Sequence, residues 1–252
     1  MMRPDGVFET VEDRVSALNR RLGAAEAETV LAESLRAFEG RLALVSSFGA
    51  DSVVLLHMVS RRDPGLPVLF LDTEMLFPET LAYQRELAAT LGLTGLRVLR
   101  PGADLVERSD PLGDLYRRDP DLCCHIRKTT PLEAALAGYD AWITGRKRHQ
   151  TQARAGLDAF EADAAGRIKI NPLHDWSRQD IARYIEAHAL PRHPLVARGY
   201  PSIGCAPCTS PARPDEDPRA GRWRGKEKQE CGIHFAGGRV LRRTALEDCN
   251  DG

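Results

Sequence analysis

Apolar residues recur along this chain first at helical and then at strand spacing. Phe8, Val11, Val15, Leu18 and Leu22 stand three and four apart, as do Ala27, Val30 or Leu31, and Leu35 or Phe38, so two amphipathic helices open the chain. Residues 42–45 form a short unbroken apolar run, suited to a buried parallel strand. Val53, Val54, Leu55, Leu56, Met58 and Val59 suit a buried helix. Further strand-like runs occupy 68–71, 96–99, 141–144 and 168–170, with helical patterns between most of them. Pro78 begins one of these helices and Gly92 lies near its end. Thr130, Pro131 and Glu133 have the form of a capping box with proline at the first helical position. Ser177 with Asp180 caps another helix, whose buried face comprises Ile181, Tyr184, Ile185 and His188. This alternation predicts an α/β fold: a mostly parallel sheet with helices on both faces, its ligands at the carboxyl ends of the strands. Regular patterning stops after Cys208. Residues 209–230, TSPARPDEDPRAGRWRGKEKQE, are rich in proline and charge and read as a mobile surface segment.

At 252 residues and 42% hydrophobic, the chain can build a sizeable core for one large domain or two small ones. Thirty-five basic against thirty-six acidic residues leave a net charge of -1, without the basic excess of a nucleic-acid binder. The opening MMRPDGVFETVEDR carries charges where a signal peptide needs its apolar run, and no apolar segment approaches the roughly 18 residues of a membrane span. A cytoplasmic protein without a membrane partner is expected. A homo-oligomer is left open. In that compartment six cysteines favour metal or redox chemistry over a disulfide framework.

The connection SSFGADS, from Ser46 to Ser52, joins the 42–45 strand to the helix after it. A helix start presents unpaired N–H groups and partial positive charge, which suits a phosphate or sulfate. Ser46, Ser47 and Ser52 add hydroxyl donors, and Gly49 lets the backbone approach an anion. Cys123 and Cys124 are adjacent, and Cys205 and Cys208 form a CxxC; four thiolates suit one tetrahedral sulfur site holding zinc or an iron–sulfur cluster. Cys231 stands apart in ECGIH, near Arg222, Arg224, Lys226, Lys228 and His234. An unperturbed thiol pKa of about 8.5 leaves only about a tenth of it ionised at pH 7.5, and nearby cations raise that fraction. Cys249 reads as incidental. His125, Arg127 and Lys128 follow the paired cysteines, and Arg146, Lys147, Arg148 and Arg154 follow the strand ending near Thr144, both directed at the same anion site. Asp72 and Thr73 end another strand, where they could hold a ribose or a base.

Together these residues resemble one family, the assimilatory sulfonucleotide reductases, and within it the iron–sulfur adenylyl-sulfate (APS) reductases. The resemblance runs through SSFGADS, LDTEMLFPET, CCHIRK, TGRKRHQ, INPLHDW, GYPSIGCAPCT and RAGRW to ECGIH. It implies a fold of the PP-loop, adenine nucleotide alpha hydrolase-like type, with residues 1–208 as a single nucleotide-binding domain that includes the N-terminal helices and both cysteine pairs. Residues 209–252 would be a mobile segment carrying Cys231. By the same resemblance, Cys123, Cys124, Cys205 and Cys208 ligate one 4Fe-4S cluster per chain, and Cys231 is the nucleophile. Substrate contacts fall to Ser46, Ser47, Phe48, Gly49, Ser52, Asp72, Thr73, Lys128, Arg148, Arg154, Arg219, Arg222 and His234. The implied reaction converts APS to sulfite and AMP through an S-sulfonated Cys231, with reduced thioredoxin or glutaredoxin as donor. Reduction of the 3'-phosphorylated substrate (PAPS) is the alternative, followed by a PP-loop ligase or tRNA thiolation enzyme. Two positions depart from the family pattern: Glu74, where many members have glycine, and His149, where an acidic residue is common.

Overall fold

The computed structural model describes residues 10–226 together with Lys228 and Glu230. Phe8, Cys231, His234 and Cys249 lie outside the described residues. The chain runs α1 (Val11–Leu22), α2 (Ala27–Ala37), β1 (Leu42–Ser46), α3 (Ser52–Ser60), β2 (Val68–Leu71), α4 (Pro78–Thr90) and β3 (Leu96–Leu99). It continues through α5 (Ala103–Ser109), α6 (Leu115–Arg118), α7 (Pro120–Cys124), α8 (Thr130–Leu136), β4 (Ala141–Ile143), β5 (Phe160–Ala162), β6 (Ile168–Ile170) and α9 (Arg178–Ala187).

Among the described residues six strands lie in the order β3-β2-β1-β4-β6-β5, all parallel except β5, which runs antiparallel to β6. Alternate residues of the central strands enter opposite layers. Leu42, Leu44, Val68 and Phe70 pack with Val54, Leu87 and Ile181 of α3, α4 and α9, while Ala43, Val45, Leu69 and Leu71 pack with Leu132 and Leu136 of α8. Both faces are thus covered, which is why these strands read as unbroken apolar runs rather than alternating ones. The chain moves outward from β1 to β3 and then returns to β4 on the other side of β1. The loops after β1 and β4 therefore diverge, and the crevice between them is where an open α/β sheet takes its ligand.

Helix ends follow side-chain chemistry at two of the predicted places. Ser177 and Asp180 form a reciprocal capping box at α9, and the α4 pattern ends at Gly92, whose φ of 64° lies in the left-handed region. At Thr130–Pro131 α8 begins without a side-chain cap, as the continuation of an earlier helical run. The helical run starts at Pro120, where Asp119 accepts from the amides of Asp121 and Leu122, and it passes through a π-helical turn at His125–Thr129 into α8. Pro131 has no N–H to give the preceding turn, and the wide turn stands directly before it, as such a ring within a helix requires. Glu133, expected in the cap, pairs with Arg167 at 2.6 Å. His188 is not on the buried face of α9: it caps the C-terminus, exposed, with its ring 4.3 Å from that of Tyr184. β5, at the edge of the sheet, buries only Phe160 of its three residues and so shows no apolar run. The Asn19 side chain of α1 brackets Phe160, donating to its carbonyl at 2.8 Å and accepting from its amide at 3.0 Å, as a further strand would.

Phe48 sets the shape of the β1–α3 connection. It, rather than Gly49, takes the left-handed conformation, with φ 48°. Its ring is fully buried edge-on to Phe70 at 5.2 Å, and its amide donates to Ser46 Oγ at 3.2 Å. A left-handed residue with a side chain costs roughly 1–2 kcal/mol, whereas burying a phenylalanine stabilises by about 1.5–3 kcal/mol. Burial wins. Phe48→Ala is expected to lower the unfolding free energy by about 3–5 kcal/mol, read from the midpoint of a urea denaturation curve.

Candidate active site

The cavity at this crevice has a volume of about 400 Å³. One wall is the loop after β1, which contributes Ser46, Ser47, Gly49 and Ser52. Facing it is the loop after β4, where Lys147 is buried with 1% of its surface exposed. Its amine lies 3.2 Å from Asp51 and donates to the Gly145 carbonyl at 3.0 Å. Burial lowers the Lys147 pKa, with Asp51 opposing that shift. The lysine ties the two loops together across the crevice.

Cations are drawn in from separate parts of the chain. Lys128, Arg154, Arg219 and Arg222 line the cavity with Thr73. Arg222 is held in place by its neighbours: its guanidinium lies 4.4 Å from the Trp223 ring centroid, and Nη1 donates to the Ile203 carbonyl at 3.3 Å. A Cβ on Gly204 would stand 2.3 Å from Arg222 Nη2, so that glycine gives the guanidinium its room. Residues 209–226 contain no helix or strand and are tied to the body of the domain. Thr209 bridges Arg222, Ser210 N donates to the Gly221 carbonyl at 2.9 Å, and Trp223, buried at φ 50°, donates from its amide to the Cys208 carbonyl at 3.0 Å.

Three expected substrate residues stand outside the cavity lining. Phe48 is the pin described above. Asp72 accepts from the Glu74 amide at 3.0 Å and pairs with Arg100 at 3.1 Å, and this turn holds Glu74 at φ 61°, a conformation that suits glycine. Arg148 donates to the Leu157 carbonyl at 2.7 Å and faces Asp158. Cys231 and His234 lie outside the described residues. Sequence reasoning missed Glu230 and did not single out Lys147; both are in the lining. Lys147 was visible within the basic run, but nothing in the spacing chose it over Arg148.

The two cysteine pairs meet beside this cavity. Cys123 and Cys124 are buried at the end of α7, and Cys205 is buried where the chain bridges Leu76. Cys205 Sγ lies 3.2 Å from Thr73 Oγ1. The four sulfurs act on one another electrostatically: burial, reinforced by Cys124, Cys205 and Cys208, pushes the Cys123 thiol up to about 12. Burial also raises Cys208, with Cys205 adding to it. Cys205 moves the other way; burial opposes its ionisation, but Lys128, the Thr73 hydroxyl and Arg222 together lower its pKa. Arg127 braces the first pair from beneath, donating to Asp110 at 2.9 Å and to the Thr73 carbonyl at 3.1 Å. Among the described residues, Arg127 Nε, Arg146 Nε and Arg222 Nε are buried without a hydrogen-bond partner, and no group of three or more His, Cys, Asp or Glu residues stands at the spacing of a single metal ion. No helix among the described residues is long and apolar enough to cross a membrane.

A mostly parallel sheet with a serine-rich loop at its switch point, cations around the crevice and a flanking sulfur set has the form of a PP-loop fold. Residues 41–211 match the family model described as the phosphoadenosine phosphosulfate reductase domain, and the chain belongs to that family. It is 50% identical over 230 residues to an adenosine 5'-phosphosulfate reductase of Chelativorans sp. (strain BNC1), covering 90% of this chain and 94% of that one. It is 42% identical over 211 residues to a phosphoadenosine 5'-phosphosulfate reductase of Gloeobacter violaceus, covering 82% and 88%. Among solved structures, the phosphate complex of phosphoadenylyl-sulfate reductase from Candida auris superposes with a TM-score of 0.68 at 27% identity, covering 83% of this chain and 98% of that one.

The position of Arg222 gives a direct test of the cation wall. Gly204→Ala displaces only the end of a flexible side chain, so the thermal midpoint should hold. Affinity for AMP should fall about tenfold, the worth of one charge-assisted hydrogen bond, measured by titration calorimetry.

Proposed function

We propose that this protein is an APS reductase, which converts APS to sulfite and AMP in sulfate assimilation, with reduced thioredoxin or glutaredoxin as electron donor, in the cytoplasm. The observation that carries this reading is the meeting of an anion loop, a wall of cations and four mutually interacting thiols at one switch point. The relatives named adenosine 5'-phosphosulfate reductase support it.

The nucleotide phosphate would sit against Ser47, Gly49 and Ser52 at the start of α3. Lys128, Arg219 and Arg222 would face the sulfuryl group. Cys231 thiolate then attacks sulfur in line with the phosphate oxygen; the S–O bond breaks, AMP leaves, and Cys231 carries the sulfonate. A thiolate of the donor attacks the Cys231 sulfur and sulfite departs with the S–S electron pair. The second donor thiol resolves the mixed disulfide, so the donor loses the two electrons that sulfite gains. Attack by a thiolate on a doubly anionic substrate crowds negative charge, and the fixed cations offset it without reorganising at the moment of reaction. Residues 1–208 would form the nucleotide-binding domain, and 209–252 would bring Cys231 and His234 to it.

The donor set fits a sulfur-ligated cluster: Cys123, Cys124, Cys205 and Cys208 are all soft ligands. Arg127 and Arg222, each with a buried unpartnered Nε, lie among the groups acting on them. These four cysteines would hold one 4Fe-4S cluster per chain, which when bound supplies a field that tunes the sulfuryl transfer. The relative named phosphoadenosine 5'-phosphosulfate reductase favours PAPS as the second reading.

Anaerobically purified protein supplied with reduced thioredoxin should release sulfite from APS at least about tenfold faster than from PAPS, as kcat/KM, a discrimination of about 1.4 kcal/mol. It should be brown, with iron and acid-labile sulfide in equal amounts. Preference for PAPS, a requirement for ATP, or zinc in place of iron would count against this reading.

A further inference from the structure

Glu230 is buried at the cavity wall, with 6% of its surface exposed. Its two carboxylate oxygens take a fork from Arg154, Nε to Oε1 at 2.7 Å and Nη2 to Oε2 at 2.6 Å. Thr151 Oγ1 donates to Oε1 at 3.1 Å, and Arg219 Nη2 stands 3.8 Å from Oε2. The remaining Nη1 of Arg154 donates to Gln150. Each guanidinium nitrogen of Arg154 therefore has a partner within the protein, and Arg154 holds the chain at Glu230.

Cys231 directly follows Glu230 in the sequence. The geometry points to Glu230 as a positioning residue: its carboxylate, locked onto Arg154, anchors the peptide that delivers the Cys231 thiol to the anion cavity. This inference rests on the reading of Cys231 as the nucleophile. The competing account makes the carboxylate a stand-in for the substrate anion, displaced when substrate binds. That exchange would have to break a bidentate pair in which both partners are buried, and removing one partner of such a pair strands an uncompensated charge. Lys128 and Arg222 meanwhile line the cavity from other parts of the chain, so an incoming anion has cations without Arg154.

The test uses the full chain with its cysteines intact and compares wild type with Glu230→Gln and Glu230→Asp. Three quantities are read: the single-turnover rate of Cys231 S-sulfonation by APS, from quenched peptide masses; the affinity for AMP, by calorimetry; and the thermal midpoint. A nucleophile released by about 1 Å loses on the order of a hundredfold in rate. Glu230→Gln should therefore slow sulfonation about a hundredfold while AMP affinity stays within about threefold, with Glu230→Asp recovering part of the rate. A merely structural role would depress AMP affinity and the thermal midpoint together. An unchanged sulfonation rate overturns the anchor, and so does tighter AMP binding at an unchanged rate, the mark of a displaced stand-in. Should Glu230→Gln not fold, Thr151→Val removes one hydrogen bond to the same carboxylate and should slow sulfonation severalfold; no change there also overturns the anchor. If wild type itself shows no sulfonation, the reductase reading fails instead.

Discussion

Burial of positive charge at one end of the sheet is the constraint on which the rest of this structure depends. Arg146, Lys147 and Arg154 lie within one nine-residue stretch after β4, and each is at most 8% exposed. A charge taken out of water and left unpaired costs several kcal/mol, so each needs a carboxylate. Those carboxylates come from three remote places: Glu161 on β5 for Arg146, Asp51 before α3 for Lys147, and Glu230 of the C-terminal segment for Arg154. Compensation thus draws the edge strand, the anion loop and the C-terminal segment onto one strand end. Lys169 shows how crowded the region is. Its amine lies 4.6 Å from the Trp142 ring centroid, and burial, with Arg146 adding to it, pushes its pKa down to about 7.

The sulfur side of the site is coupled to the same frame through the end of β2. Thr73 uses its carbonyl to accept from Arg127, behind the Cys123–Cys124 pair, and places its hydroxyl 3.2 Å from Cys205. One residue therefore links the two cysteine pairs. Arg127 in turn depends on Asp110, whose side chain is fully buried and also accepts from the Leu115 amide at 2.9 Å. The π-helical turn before Pro131 carries Arg127 and Lys128 on consecutive positions, one toward the interior and one lining the cavity.

The parallel core was legible because its central strands are buried on both faces: five of the six described strands were visible as short runs, with 141–144 one residue too long. β5 was not, since it is an edge strand with only Phe160 buried, held there by Asn19, and shows no apolar run. Helix caps were read correctly where side chains supply them, at Ser177; at Thr130 the start of α8 with its proline was read but the capping box was not there, because the chain enters already helical. In the site, residue type was readable and direction was not. Lys147 and Arg148 are adjacent and chemically alike, yet the backbone after β4 aims the first into the cavity and the second at the Leu157 carbonyl. Arg154 and Glu230 are 76 positions apart, and only the folded chain brings them together.

The central claim is that the crevice between β1 and β4 holds the nucleotide while a thiol from the C-terminal segment takes its sulfuryl group. The most direct measurement is peptide mapping after incubation with APS in the absence of any reductant. The account requires one AMP released per chain and the added mass of SO3 on the peptide containing Cys231 alone. AMP release without an adduct, or an adduct on Cys249 or on one of the paired cysteines, would contradict it.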